Sequence, residues 1–217
     1  MASEPTVSVI IPSYNHERFV EAAVRSVLGQ TFQDFEIVVV DDGSSDGTPD
    51  VVKKIKDPRI SLHVFDKNRG ACAAANECIA RSRGRFVAML SSDDMFLPHR
   101  LEMQVLFLEK NPGFGAVFGL ASLVDESGAP FVNERHHYTS IFKQPNRPRA
   151  QWLNRFFHQG NCLCHPSMLI RRECYDSVGN YDNRLAQLPD FDFYVRLCMK
   201  HEIHIIQEPL INFRIMN

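Results

Sequence analysis

Short continuous runs of β-forming residues alternate with stretches in which apolar positions return every third or fourth residue, so the first half of the chain reads as strand and helix by turns. VSVII at 7–11 is such a run, closed by Pro12. HERFVEAAVRSVLGQ then brings Val20, Ala23, Val24, Val27 and Leu28 to one helical face, with Gly29 as a stop. FEIVVV at 35–40 repeats the strand pattern and enters DDGSSDGT, where Asp46 or Thr48 can cap a helix through TPDVVKKIK. RISLHVF, GACAAANECIARS and RFVAML continue the alternation, and LPHRLEMQVLFLEK predicts another helix. Apolar strands separated by amphipathic helices predict an α/β fold with a mostly parallel, Rossmann-like central sheet flanked by helices. Ligands of such sheets sit beyond the carboxyl ends of the strands, which gathers PSYNHE, DDGSSD, DKNRG and SSDD at one edge.

The second half is less regular. FGAVFGLASLVD reads as a strand, ESGAPFVNERHHYTSIFKQPNRPR as a long polar excursion, and AQWLNRFFHQ and FDFYVRLCMKH as helices. A length of 217 residues with 44% apolar content suits one domain over 1–217. A formal charge of -2 without a long basic run argues against nucleic acid as a partner. MASEPTVSVIIP lacks the basic start and apolar stretch of a secretory signal, and no apolar run reaches the roughly 18 residues of a transmembrane segment, so the chain reads as cytoplasmic. Six cysteines in apolar contexts predict reduced core thiols. NCLCHP gathers Cys162, Cys164 and His165, but C-x-C in an extended strand lacks the knuckle turn of a zinc site, and packing is the better reading.

Candidate chemistry centres on FVAMLSSDD, where Asp93 and Asp94 follow a buried run directly. Adjacent carboxylates repel, and a positive partner relieves them. The glycine-rich G-x-G-x-x-G approach of dinucleotide folds is missing after the first strand, and no phosphate loop of the G-x-x-x-x-G-K-[ST] kind occurs. A divalent cation such as Mg²⁺ or Mn²⁺, shared between carboxylate and substrate phosphates, would supply the charge. The plainer alternative is that these acids favour the dipole of the following helix, for which one would suffice.

In this order, VSVIIPSYN, FEIVVVDDGSSDGT, NRGACAAANECIA, SRGRFVAMLSSDDMFLP and QLPDFDFYVRL resemble the successive blocks of the inverting family 2 glycosyltransferases of GT-A fold. The resemblance implies a donor that is a nucleotide-diphosphate sugar, a UDP-sugar foremost, and a glycan or lipid-linked acceptor in surface polysaccharide or glycan synthesis. It places Pro12 and Tyr14 in the base pocket, Asp42 on the base, Asp93 at the ribose, Asp94 on Mn²⁺ or Mg²⁺, and Asp190 as the general base. It assigns 1–110 to the nucleotide-sugar half and 111–217 to the acceptor half, with AQWLNRFFHQ roofing the acceptor site. Relatives continue past INFRIMN into a segment that helps cover the site, which leaves open a longer protein, and a peripheral place at the inner face of a membrane also stays open. The chain departs from the family in Ser91 and Pro189, where acids are common. Two other functions compete: a nucleotide-sugar-binding module without turnover, and a sugar nucleotidyltransferase, which would need a glycine-rich basic loop where PSYNHE stands. Individual residues have plainer readings too. Asp41, Asp42 and Asp46 can satisfy an Asx-type turn, Asp190 can be a helix N-cap, His165 a core histidine, and Arg147, Arg149 and Arg155 a solvated basic face.

Overall fold

The structure is a computed structural model and describes residues 4–185 and 187–216. Its elements run β1 (Val7–Ser13), α1 (Val20–Leu28), β2 (Phe35–Asp41), α2 (Thr48–Lys54), β3 (Ile60–Val64), α3 (Ala71–Arg81), β4 (Phe86–Met89), β5 (Met95–Phe96) and α4 (Arg100–Lys110). They continue with β6 (Phe114–Val124), α5 (Tyr138–Ile141), α6 (Arg149–Gln159), a 3₁₀ turn (His165–Ser167), β7 (Leu169–Arg171), α7 (Arg172–Val178), α8 (Pro189–Lys200) and β8 (Glu202–Arg214). The strands form one sheet in the order β3-β2-β1-β4-β7-β6-β8-β5.

The first four strands are parallel, as the alternation predicts, with Val9 of β1 opposite Ile37 of β2 and Ala88 of β4. Side chains leave successive strand positions toward opposite faces. Val9, Ile11, Ile37, Val39 and Ala88 therefore join the core under α1 and α4, while Ile10, Val38, Val40, Val87 and Met89 join the one under α3, α6 and α8. Both faces of the sheet are buried, which is why these strands read as unbroken apolar runs rather than alternating ones. All six cysteines are buried and unbonded to one another, in keeping with core thiols.

The strand β1 runs on to Ser13, one residue past the expected stop at Pro12. The reason lies in the ladder. Ile10 offers its carbonyl to the Leu90 amide and Ser13 offers its own to Asp42, so even positions of β1 face β4 and odd ones face β2. The strand β4 ends at Met89, opposite Ile10, and Pro12 turns its missing N–H toward a side with nothing left to pair. Beyond β4 the sheet becomes mixed: β7 is antiparallel to both β4 and β6, whereas β6 and β8 pair in parallel through register shifts near Gly119 and Leu120. The polar excursion is partly ordered. Asp125 caps a turn through Ser127 and Ala129, and Phe142 after α5 is buried against Phe213.

Candidate active site

Four strand-end loops meet around a cavity of about 410 Å³. The loop after β1 is locked to the loop after β2. Asn15, with φ 53°, donates its amide to Ser44 Oγ at 2.9 Å and accepts the Ser45 amide at the same distance. The His16 amide meets Thr48 Oγ1 at 2.8 Å, and Glu17 Oε2 takes the Gly47 amide at 3.0 Å. This interlock leaves Tyr14 at the rim, 43% exposed, with Pro12 beside it in the cavity wall.

The two acids of the second loop face different ways. Asp41 is fully buried and holds the Ser44 amide and hydroxyl together with the Ser13 hydroxyl. Asp42 lines the cavity, yet its two oxygens accept the amides of Arg69 at 2.6 Å and Gly70 at 2.9 Å, fixing the turn that starts α3. Gly70 takes φ 95° there, a region that L side chains avoid. The plainer reading of Asp41 and Asp46 as acceptors of loop amides is what their contacts are, since Asp46 takes the Thr48 and Glu17 amides. Asp42 combines a structural contact with a place in the cavity wall.

The paired acids also part company. Asp93 is half-buried in the cavity wall, and among the described residues its carboxylate accepts no hydrogen bond. Asp94 is 2% exposed and absent from the wall; its Oδ1 accepts the Arg214 amide at 2.7 Å. Burial, then the charge of Asp93, pushes the Asp94 carboxyl well above the ordinary carboxylate range. Arg214 completes the lock: its Nε donates to the Asp93 carbonyl at 2.8 Å and its Nη1 to the carbonyls of Asp125 and Glu126 at 2.9 and 2.7 Å. His16 Nδ1 pairs with Ser92 Oγ at 2.6 Å, tying the acid loop to the first loop. No three His, Cys, Asp or Glu side chains among the described residues converge on one point. A lone, hydrogen-bond-free carboxylate fits a hard cation that takes its remaining oxygens from phosphates and water.

Across the cavity, Asp190 stands in the first turn of α8 just after Pro189. The N-cap position is Leu188 and no side chain caps the helix, so capping is not the work of Asp190. Its Oδ2 instead accepts Asn161 Nδ2 at 2.7 Å. His165 also lines the cavity and pairs through Nε2 with the Tyr181 hydroxyl at 2.8 Å. Burial lowers its proton affinity, against the pull of the Asp190 charge. Asn161, Tyr181 and Arg214 escape a reading of the sequence because each works on a partner distant along the chain. Arg100 escapes it for another reason. It sits where a helix surface residue is expected, yet it is fully buried, stacked 3.6 Å over Phe96, and donates to the carbonyls of Pro166, Met89 and Met168.

Residues 8–179 match the sequence profile of Glycosyl transferase family 2. The chain belongs to that family. An uncharacterized glycosyltransferase of Methanocaldococcus jannaschii is 29% identical over 99% of this chain and 72% of its own length. The Escherichia coli UDP-Glc:alpha-D-GlcNAc-diphosphoundecaprenol beta-1,3-glucosyltransferase WfgD is 43% identical over 48% of this chain and 42% of its own. Among solved structures, S. aureus TarS in complex with UDP superposes with a TM-score of 0.77 at 23% identity, covering 97% of this chain and 60% of that one. The mannosyltransferase PcManGT from Pyrobaculum calidifontis, in complex with GDP-Man and Mn2+, gives 0.68 at 21%, covering 99% and 57%. The family 2 chain thus has the GT-A fold that its sequence blocks imply, and spans 60% of the TarS 1-349 chain, 37% of the longer TarS chain and 57% of PcManGT.

Proposed function

We propose that this family 2 chain moves a sugar from a nucleotide-diphosphate sugar, a UDP-sugar foremost, to an acceptor hydroxyl with inversion, in polysaccharide or glycan synthesis. The observation that carries the reading is the pairing of two carboxylates in one cavity: Asp93 on the strand-end wall and Asp190 on α8. TarS with UDP and PcManGT with GDP-Man and Mn2+ support a nucleotide donor in this fold. Tyr14 and Pro12 would pack the base, with Asp42 beside it, as the family resemblance implies.

The reading moves the cation from Asp94 to Asp93, because Asp94 is buried and already holds the Arg214 amide. Bound there, Mn²⁺ or Mg²⁺ would neutralise charge on the departing diphosphate. Asp94 then keeps the acid loop in place. Asp190 takes the acceptor proton as the hydroxyl attacks the anomeric carbon from the face opposite the leaving group. Asn161 occupies Asp190 Oδ2, so Oδ1 is the oxygen available for that proton. General-base catalysis contributes about 10²–10⁴-fold. The acceptor half runs from 111 onward in this reading, with α6 close by through Asn161. No helix of the described residues is long and apolar enough to cross a membrane. We place the chain in the cytoplasm, with a peripheral membrane position compatible.

The test is Asp190→Asn, which preserves shape and the Asn161 neighbourhood while removing the proton acceptor. Turnover with a screened glycan or lipid-linked acceptor should fall by about 10²-fold or more while UDP affinity with Mn²⁺ is unchanged. Wild-type turnover in the variant would show that Asp190 is not the base.

A further inference from the structure

A second concavity, of about 550 Å³, lies between the 145–148 segment and α6, lined by Asn146, Arg147, Gln151, Asn154, Arg155 and His158 among others. Its lining contains no Asp or Glu. Arg147 is half-buried over the Trp152 ring at 4.6 Å, and among the described residues its one hydrogen bond is a long 3.4 Å contact to Gln144 Oε1. Arg155 is half-buried and makes no hydrogen bond or ion pair among the described residues; its Nη1 is sealed in the interior, out of reach of a ligand in the groove, and its Nε and Nη2 are the donors left for one. Neither belongs to a solvated basic face, the plain reading of this arginine cluster. Arg149 does: it is exposed and reaches Glu202 and the Met199 carbonyl.

A buried donor without an acceptor costs about 1–3 kcal/mol, more when it is charged. The other buried arginines avoid that cost: Arg100 and Arg214 spend their guanidinium donors on carbonyls. Arg147 and Arg155 stand in a groove rich in donors and without a negative charge, which is the chemistry of an oxyanion site. Two guanidinium forks and several neutral donors exceed what the two oxygens of one carboxylate can use, whereas a phosphate offers three or more. We propose that this groove is an anion subsite that takes a phosphate-class group on Arg147 and Arg155. The helix α6 carries Arg155 and ends at Gln159, two residues before Asn161, the partner of Asp190. The group therefore arrives on the acceptor side, and its assignment to an acceptor rests on the transfer reading above. Anion binding itself does not.

Calorimetry with sodium pyrophosphate in EDTA tests the subsite on the full chain without donor. Arg155→Met and Arg147→Met should each weaken binding about tenfold or more, Arg149→Met should not, and Arg155→Lys should recover part of the loss. A cooperative thermal melt at the wild-type Tm serves as the check that each variant is folded. No pyrophosphate binding by the wild type, or equal binding by the wild type and the Met variants of Arg155 and Arg147, overturns the proposal. Cosedimentation with phosphatidylglycerol and phosphatidylcholine vesicles separates the sources. Phosphatidylglycerol binding lost in Arg155→Met points to a lipid headgroup, and pyrophosphate binding alone points to a soluble phosphorylated ligand; either supports the subsite. Transfer activity is not read in this experiment, so its failure is distinct from a failure of Asp190.

Discussion

Arg214→Met should damage the fold and the donor site together, and the sizes can be worked from its contacts. The side chain is 6% exposed and donates three hydrogen bonds to carbonyls, one to Asp93 and two to Asp125 and Glu126, besides a long contact from Nη2 to Met95 Sδ at 4.0 Å. It also lies 4.9 Å over the Phe19 ring. Hydrogen bonds to a charged group are worth about 1.5–3 kcal/mol each, which would sum to roughly 4.5–9 kcal/mol if independent. They are not, because one side chain makes all three, and losses above about 4–5 kcal/mol are exceptional. Methionine keeps apolar contact with Phe19, and water can reach the turn carbonyls, so about 3 kcal/mol is the expected loss. At about 2–4 °C per kcal/mol for a chain of this size, Tm should fall by about 6–12 °C. The backbone amide that holds Asp94 survives the substitution, whereas the anchor on the Asp93 carbonyl does not. Affinity for UDP with Mn²⁺ should accordingly drop by about tenfold, and Arg214→Lys, with charge but no fork, should fall between. Thermal melts and calorimetry on the same samples decide it. A Tm change under about 2 °C with donor affinity unchanged would refute the reasoning.

The paired acids give a separable prediction. Asp93→Asn should abolish the gain in UDP affinity on adding Mn²⁺ with little change in Tm, whereas Asp94→Ala should lower Tm by freeing the Arg214 amide; the reverse pattern in calorimetry would return the cation to Asp94. A pH prediction follows from Asp57, which Arg59 holds at about 2 through its side-chain and backbone hydrogen bonds. A folded value below the unfolded one adds stability that is complete above about pH 4 and disappears as pH falls toward 2. The difference in urea midpoint between wild type and Asp57→Asn should therefore be constant from about pH 5 to 7 and shrink below 4.

Much of the first half was legible because its strands are buried on both faces, and continuous runs such as FEIVVV cannot be mistaken for loops. The loops at their ends followed from topology alone, and Pro12, Tyr14, Asp42, Asp93 and Asp190 do meet in one cavity. The mixed part of the sheet was hidden for local reasons. LIR of β7 is three residues long, and β8 carries Pro209 in its middle beside a register shift. The inward turn of Asp94 was illegible because adjacent residues look alike in a motif, and what distinguishes them is Arg214 on β8. The burial of Arg100 was equally hidden, since its acceptors are backbone carbonyls of β4 and the 165–168 turn, which any sequence would supply.

The latch between Arg214 and the acid loop also has a place in time. Its two ends lie 120 residues apart, so on a ribosome adding about 5–20 residues per second the acid loop is made about 6–24 s before its clasp exists. During that interval the early parallel strands can pair among themselves, since β1 to β4 contain their own partners. Asp93 and Asp94 meanwhile stand together in water without the strand that later sends one inward and leaves the other in the cavity. The carboxylate arrangement of the mature site is therefore a late acquisition of synthesis, set by β8 rather than by the strands that precede the two acids.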